Sequence, residues 1–166
     1  AQLLQAAEPG SDHQLAFATA LARTLRTERG ADLLRAWLDG EEVPAGLEID
    51  TDLRWRLVIE LARLGGLDET AIALELQRDN TIAGAEQAAE ARASRPDAEA
   101  KEHAWALAVD DPEAPNETQL SLCVGFWKVD QEDLCRPYVA RYRELCEDIS
   151  AARGVWATKG LSLQNN

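Results

Sequence analysis

Histidine is nearly absent from this chain of 166 residues: only His13 and His103 occur, 90 positions apart. Zinc takes most of its nitrogen ligands from histidine, so a metal centre here would need other groups almost throughout. Cysteine supplies little more. Cys123, Cys135 and Cys146 fall in the last third, and His103 is the one histidine near them in sequence. An odd number of cysteines predicts no disulfide framework and fits a reducing cytoplasm. Methionine is missing altogether. The chain opens at Ala1 in mid-pattern, which reads as a domain excised from a longer protein. No charged-then-apolar leader is visible. No apolar run approaches the roughly 20 residues that a membrane span needs. Basic residues are outnumbered, 17 against 30 acidic, for a net charge of −13. Such a surface repels phosphate backbones and argues against nucleic-acid binding. Solvated helix faces are the plain reading of the acidity. Strand formers are scarce too, with 7 Val and 5 Ile against 29 Ala and 23 Leu. Alanine and leucine fit helices cheaply, whereas β-branched residues favour strands. The expectation is an all-α fold, and the length suits one domain with a proper core.

Helical stretches alternate with short breaks. Ser11 and Gln14 have the spacing of a capping box. The helix they open carries Leu15, Ala18, Ala22 and Leu25 on one face, with Gly30 as its stop. ADLLRAWLDG is a shorter segment ending at Gly40, and EEVPAGLEID is a loop broken by Pro44 and Gly46. Asp50 or Thr51 caps the next helix, whose Leu53, Leu57, Leu61 and Leu64 form a stripe with Val58 beside it. Gly65-Gly66 ends it. Asp68 caps a helix running to about Arg78. Asn80 or Thr81 opens an Ala-rich helix that must stop before Pro96. Pro96 then suits the first turn of a helix through Trp105 to about Val109. After the loop DDPEAPNE, Asn116 and Gln119 signal another cap, and Asp130 caps a last long helix containing Pro137. Units of two helices joined by short breaks predict antiparallel hairpins, stacked as an irregular, HEAT-like α-solenoid over residues 1–166.

Motifs for chemistry are few. No G-x-S-x-G elbow, P-loop or G-x-G-x-x-G occurs. Acidic pairs such as Glu41-Glu42 sit in loops, where 30 acidic residues produce them by composition. Five tryptophans (Trp37, Trp55, Trp105, Trp127 and Trp156) fall in or near helices and are expected mostly in the core, with the indole N–H bonded to a loop carbonyl; stacking of one of them on a peptide is the alternative reading. The sharpest polar cluster is Asp52, Arg54 and Arg56 around Trp55. Asp52 and Arg56 are spaced for a salt bridge on one helix face. The same arginines could instead face a peptide carboxylate, for which a guanidinium fork is suited. Tyr138 and Arg141, in PYVARYRE, invite the same two readings.

The order of these signals from Asp50 to Trp105 (DTDLRW, ELQRDNT, an Ala-rich helix, RP and K-x-x-A-W) resembles the C-terminal helical domain of bacterial aminopeptidase N enzymes of the actinobacterial type. Pro9-Gly10-Ser11-Asp12, LLRAWLDG, GFW and PYVARY extend the resemblance over nearly the whole chain, fading after VWATKG. Those enzymes are zinc metallopeptidases of the membrane alanyl aminopeptidase family. Their chemistry needs H-E-x-x-H on one helix and a G-x-M-E-N signature. Here His13 precedes Gln14, His103 precedes Ala104, and no Met exists. The resemblance therefore implies a non-catalytic fragment with no cofactor of its own, while Zn2+ belongs to the parent enzyme. It implies a lid that caps the active site and shapes the substrate cavity. Its partners would be the parent's own catalytic domain and peptide substrates. Arg54, Arg56, Tyr138 and Arg141 are the candidate peptide-contacting residues. A free-standing helical-repeat interaction module is the rival reading. A small helical enzyme working through carboxylates has no motif to support it.

Overall fold

The computed structural model describes the backbone of residues 2–110 and 115–162 and the side chains of 2–109 and 115–147. Among these residues every regular element is helical. The chain divides into two compact units, Ala1–Gln131 and Glu132–Asn166.

The first unit begins with a short helix α1 (Gln2–Ala6), followed by α2 (Asp12–Thr24) and α3 (Glu28–Leu38). Next come α4 (Thr51–Arg63), α5 (Glu69–Arg78), α6 (Ile82–Ser94) and α7 (Ala98–Trp105). A π turn (Ala106–Asp110), α8 (Asn116–Phe126) and a 3-10 turn (Val129–Gln131) complete it. Six helix starts are set by one device. Ser11, Thr27, Asp50, Thr81 and Asp97 each accept a hydrogen bond from the backbone N–H three residues on. This satisfies a donor that the first turn leaves orphaned. Asp68 does the same for α5. The Ser11 cap has a twist: the Gln14 side chain accepts from Gly10 N–H instead of closing on Ser11, and donates to Ala45 O at 2.9 Å. It thereby ties the 41–50 loop to the start of α2.

Several boundaries differ from the sequence reading. Gly30 does not stop α2. It lies in the first turn of α3, capped by Thr27, because a Cβ there would meet the Leu25 side chain at 2.9 Å. Leu25 is extended backbone after α2, and Leu15 is 39% exposed, so Ala18 and Ala22 carry the buried face. Pro96 stands two residues before α7, whose cap is Asp97. Asn116 is the first residue of α8 and makes no side-chain cap. Asp130 sits in the 3-10 turn, where its carboxylate is drawn to Arg63. Of the loop DDPEAPNE, 111–114 lie outside the described residues.

Alternate helices stand in a row: α2 touches α4, α4 touches α6, and α6 touches α8. The odd-numbered helices flank them, with α3 against α4, α5 and α7 against α6, and α7 also against α8. Helix α4 is the divider. Eight of its thirteen residues are buried, as expected of a helix apolar around most of its circumference. Leu53, Leu57 and Leu61 face a core shared with Ala18, Ala22, Leu34 and Trp37. Trp55, Val58, Ile59 and Ala62 face a second core with Ile72, Ala88 and Ala91.

Helices α6 and α8 approach one another closely. Alanines at 88, 91 and 93 are fully buried on α6, and a Cβ on Gly125 would meet Ala93 Cβ at 2.8 Å and Glu90 O closer still. Small side chains let the axes come together, as the Ala-rich segment predicts. Lys101 closes this corner. Fully buried, its ammonium donates to Ala93 O at 2.6 Å and to Phe126 O at 3.0 Å, the carbonyl ends of α6 and α8. A cation at two helix C-termini meets two negative dipole ends at once.

The second unit is described as one helix, α9 (Glu132–Ser162), with Pro137 inside it and no break there.

Candidate functional site

Arg54 and Arg56 lie two positions apart on α4, about 200° around the helix, and they behave differently. Arg54 turns inward. Its Nε and Nη2 donate to the two carboxylate oxygens of Glu75 on α5, at 2.5 and 2.8 Å. Its Nη1 donates to Leu38 O at 2.8 Å, at the end of α3. A fork-to-fork pair of this kind has both strength and fixed geometry. Three of its five N–H donors thus hold α3, α4 and α5 together.

Arg56 turns outward and is exposed. The expected Asp52–Arg56 salt bridge does not form. Asp52 stays in the first turn of α4, where the helix N-terminus already favours a negative charge. Arg56 instead lines a groove of about 660 Å³ between α2 and α4, with Leu15, Ala16, Ala20 and Arg23 on the α2 side. A second depression of about 330 Å³ continues toward α6, where it reaches Gln87 and Glu90, and it shares Arg23, Asp52 and Arg56 with the first. Arg23 is exposed as well. Sequence reading missed it, since a lone arginine on a helix carries no signal until a neighbouring helix supplies a second one.

Tyr138 and Arg141 belong to α9. There they engage one another, with the guanidinium 5.0 Å from the ring centroid, a cation–π contact one turn apart.

The tryptophans divide. Trp37 is buried, with its indole N–H on Glu42 O at 3.1 Å, a loop carbonyl as expected. Trp55 is buried but donates to the Asp79 carboxylate at 2.8 Å. Trp105 is buried, whereas Trp127 is 43% exposed and is not core. The side chain of Trp156 lies outside the described residues. His13 and His103 are both exposed, on α2 and α7. Cys123, Cys135 and Cys146 are free thiols. Among the described residues no group of three or more His, Cys, Asp or Glu is placed to hold a metal ion. These residues do not fit a zinc centre. No helix among them is long and apolar enough to cross a membrane.

What the fold and surface define is an all-helical domain whose polar features are grooves and inter-helix ties. Similarity to known proteins places it more narrowly. The model of the ERAP1-like C-terminal domain family matches residues 1–160, and the chain belongs to that family. It is similar to Aminopeptidase N of Streptomyces lividans, with 47% identity over 150 residues, covering 90% of this chain. The chain spans 18% of the length of that relative.

Proposed function

We propose that this chain is the non-catalytic C-terminal domain of an aminopeptidase N-like zinc metallopeptidase that removes N-terminal residues from peptides. In this reading it caps the active site and bounds the cavity through which peptides enter. The parent's catalytic domain, in the same polypeptide, is its partner and carries the Zn2+. The parent is read as a cytoplasmic enzyme. One observation carries the reading: the family match across 1–160, supported by 47% identity to an aminopeptidase N. The sequence holds no H-E-x-x-H, the spacing that sets two zinc ligands and a general base on one helix. The contribution of this domain is therefore shape and access.

Within that reading Arg56 is the candidate peptide contact, supported by its exposure in a groove and its lack of a carboxylate partner among the described residues. Arg54 acts behind it, fixing α4 on α5 through Glu75. Tyr138 and Arg141 are a second candidate contact, on α9. The test is direct. The purified chain should release nothing from an alanyl or lysyl arylamide, with or without added zinc. Metal-dependent release of an N-terminal residue by this chain alone would overturn the proposal.

A further inference from the structure

We propose that the groove between α5 and α7 is a binding site for a small organic cation, an ammonium carried on an apolar body. The inference goes beyond the reading above and does not rest on it.

Helices α5 and α7 both lie against α6. Between them opens a pocket of about 650 Å³, with α6 along its base and α8 reaching one end. Its two ends differ in chemistry. Glu69, Arg92, Arg95 and Glu99 line it where the short link 95–97 turns the chain from α6 into α7. Leu107 lies about 12 Å further along, by the rise of the helix from Glu99. There it lines the pocket with Leu122 of α8 and with Ala85 and Ala89 of α6. Leu107 belongs to the π turn, a rare conformation that recurs at functional sites. An apolar hollow of this size with a few polar groups at one end is the usual form of a small-molecule site.

The ion pairs decide the sign of the ligand. Arg92 Nε donates to both carboxylate oxygens of Glu69, at 2.8 and 3.1 Å. Arg95 meets Asp97 at 3.2 Å. Each arginine at this end therefore has its carboxylate. Glu99 has no partner among the described residues, so the charges at this end leave one negative in excess. His103 lines the pocket one turn on from Glu99 and has no partner among them either. In its neutral form the imidazole offers an acceptor nitrogen. An ammonium has three donors and no acceptor, and it suits a carboxylate and an imidazole set side by side. The apolar end then takes the body of the ligand. The net charge of −13 draws cations toward the chain at long range. A carboxylate ligand would instead compete with Glu69 and Asp97 for arginines they already hold.

Amide chemical-shift titration of the 166-residue chain tests this. The probe is phenethylamine. Phenethyl alcohol keeps its apolar body without the charge, hydrocinnamate reverses the charge, and methylamine keeps the charge without the body. Phenethylamine should bind at about millimolar concentration, ordinary for so small a ligand, and should shift amides of α6, α7 and the π turn. Each of the other three should bind at least about tenfold more weakly. Glu99→Gln should weaken phenethylamine about tenfold, the loss expected for one charge-assisted pair. Glu48→Gln removes the same charge from the 41–50 loop and should change nothing. Ala85→Phe fills the apolar end from an exposed position and should weaken binding to a similar degree. Glu48, Ala85 and Glu99 are all exposed, so far-UV circular dichroism should be the same in every variant. Equal binding of phenethyl alcohol or hydrocinnamate, equal effects of Glu48→Gln and Glu99→Gln, insensitivity to Ala85→Phe, or shifts confined to other surfaces would each overturn the site. None of those outcomes touches the placement of the domain in its parent, which rests on the family match.

Discussion

Gly125→Ala sets two well-known effects against one another. Gly125 lies inside α8. By helix propensity, alanine there should stabilise the chain by about 1 kcal/mol. By packing it should do the reverse. The new Cβ would stand 2.8 Å from Ala93 Cβ on α6, with Glu90 O closer. Carbon atoms in contact prefer at least ~3.5 Å, so α8 must withdraw from α6 by roughly 0.7 Å. The obstacle is backbone and a methyl group on a packed helix, neither of which can swing aside. Overpacking of this kind costs about 1–3 kcal/mol. The retreat also stretches the Lys101 bonds to Ala93 O and Phe126 O. The packing term wins, leaving a net loss of about 1–2 kcal/mol, or a fall in Tm of roughly 2–8 °C for a domain of this size. Urea unfolding followed by far-UV circular dichroism measures it, with Ser121→Ala on the same helix reporting propensity without the clash. A midpoint for Gly125→Ala at or above that of the unsubstituted chain would show that α6 and α8 are not this close, and the reasoning would fail.

Other consequences follow from neighbouring features. Glu75→Gln should cost about 2–3 kcal/mol, below the ~3–5 of a fully buried pair, because the Arg54 side chain keeps 23% exposure. A double-mutant cycle with Arg54→Met should return coupling well above 1 kcal/mol, and a value near zero would make the pair ornamental. Gly40 and Gly46 both have positive φ, at 80° and 82°, but only Gly46 is crowded, since a Cβ added there would stand 2.6 Å from Pro9 Cβ. Alanine at either should lose about 1–2 kcal/mol to backbone conformation. Gly46→Ala should lose a further ~1–3 kcal/mol to the clash, a difference readable in chemical denaturation of the two variants side by side.

Caps and stripes were legible because they are local. Asp50, Asp68 and Thr81 start helices for reasons contained within four residues, and the stripe from Leu53 to Leu61 needs only the helical repeat. The misreadings have distant causes. Asp130 has the sequence of a cap, yet Arg63, 67 positions away, holds its carboxylate. Gly30 has the sequence of a stop, yet it is there to let Leu25 lie across α3. Trp127 has the bulk of a core residue, yet it stands 43% exposed. The candidate site shows the same division. A spacing of two on a helix places Arg54 and Arg56 on nearly opposite sides, but it does not say which one faces in. That depends on where α5 brings Glu75. The pairing of Arg56 with Arg23 depends on α2 lying against α4, which no local pattern encodes.

The row α2–α4–α6–α8 has a bearing on how the chain acquires its structure. Every substantial helix contact in the first unit joins elements no more than two helices apart. Short loops closed early are entropically cheap, and such topologies fold fast. A nascent chain emerging from its N-terminus can therefore settle each helix on the one before last, without waiting for later sequence. The exceptions come at the end of the unit. Asp130 reaches back to Arg63, and Gln131 donates to Arg63 O and Ser94 O. These two residues tie the end of the unit back to the C-terminal ends of α4 and α6.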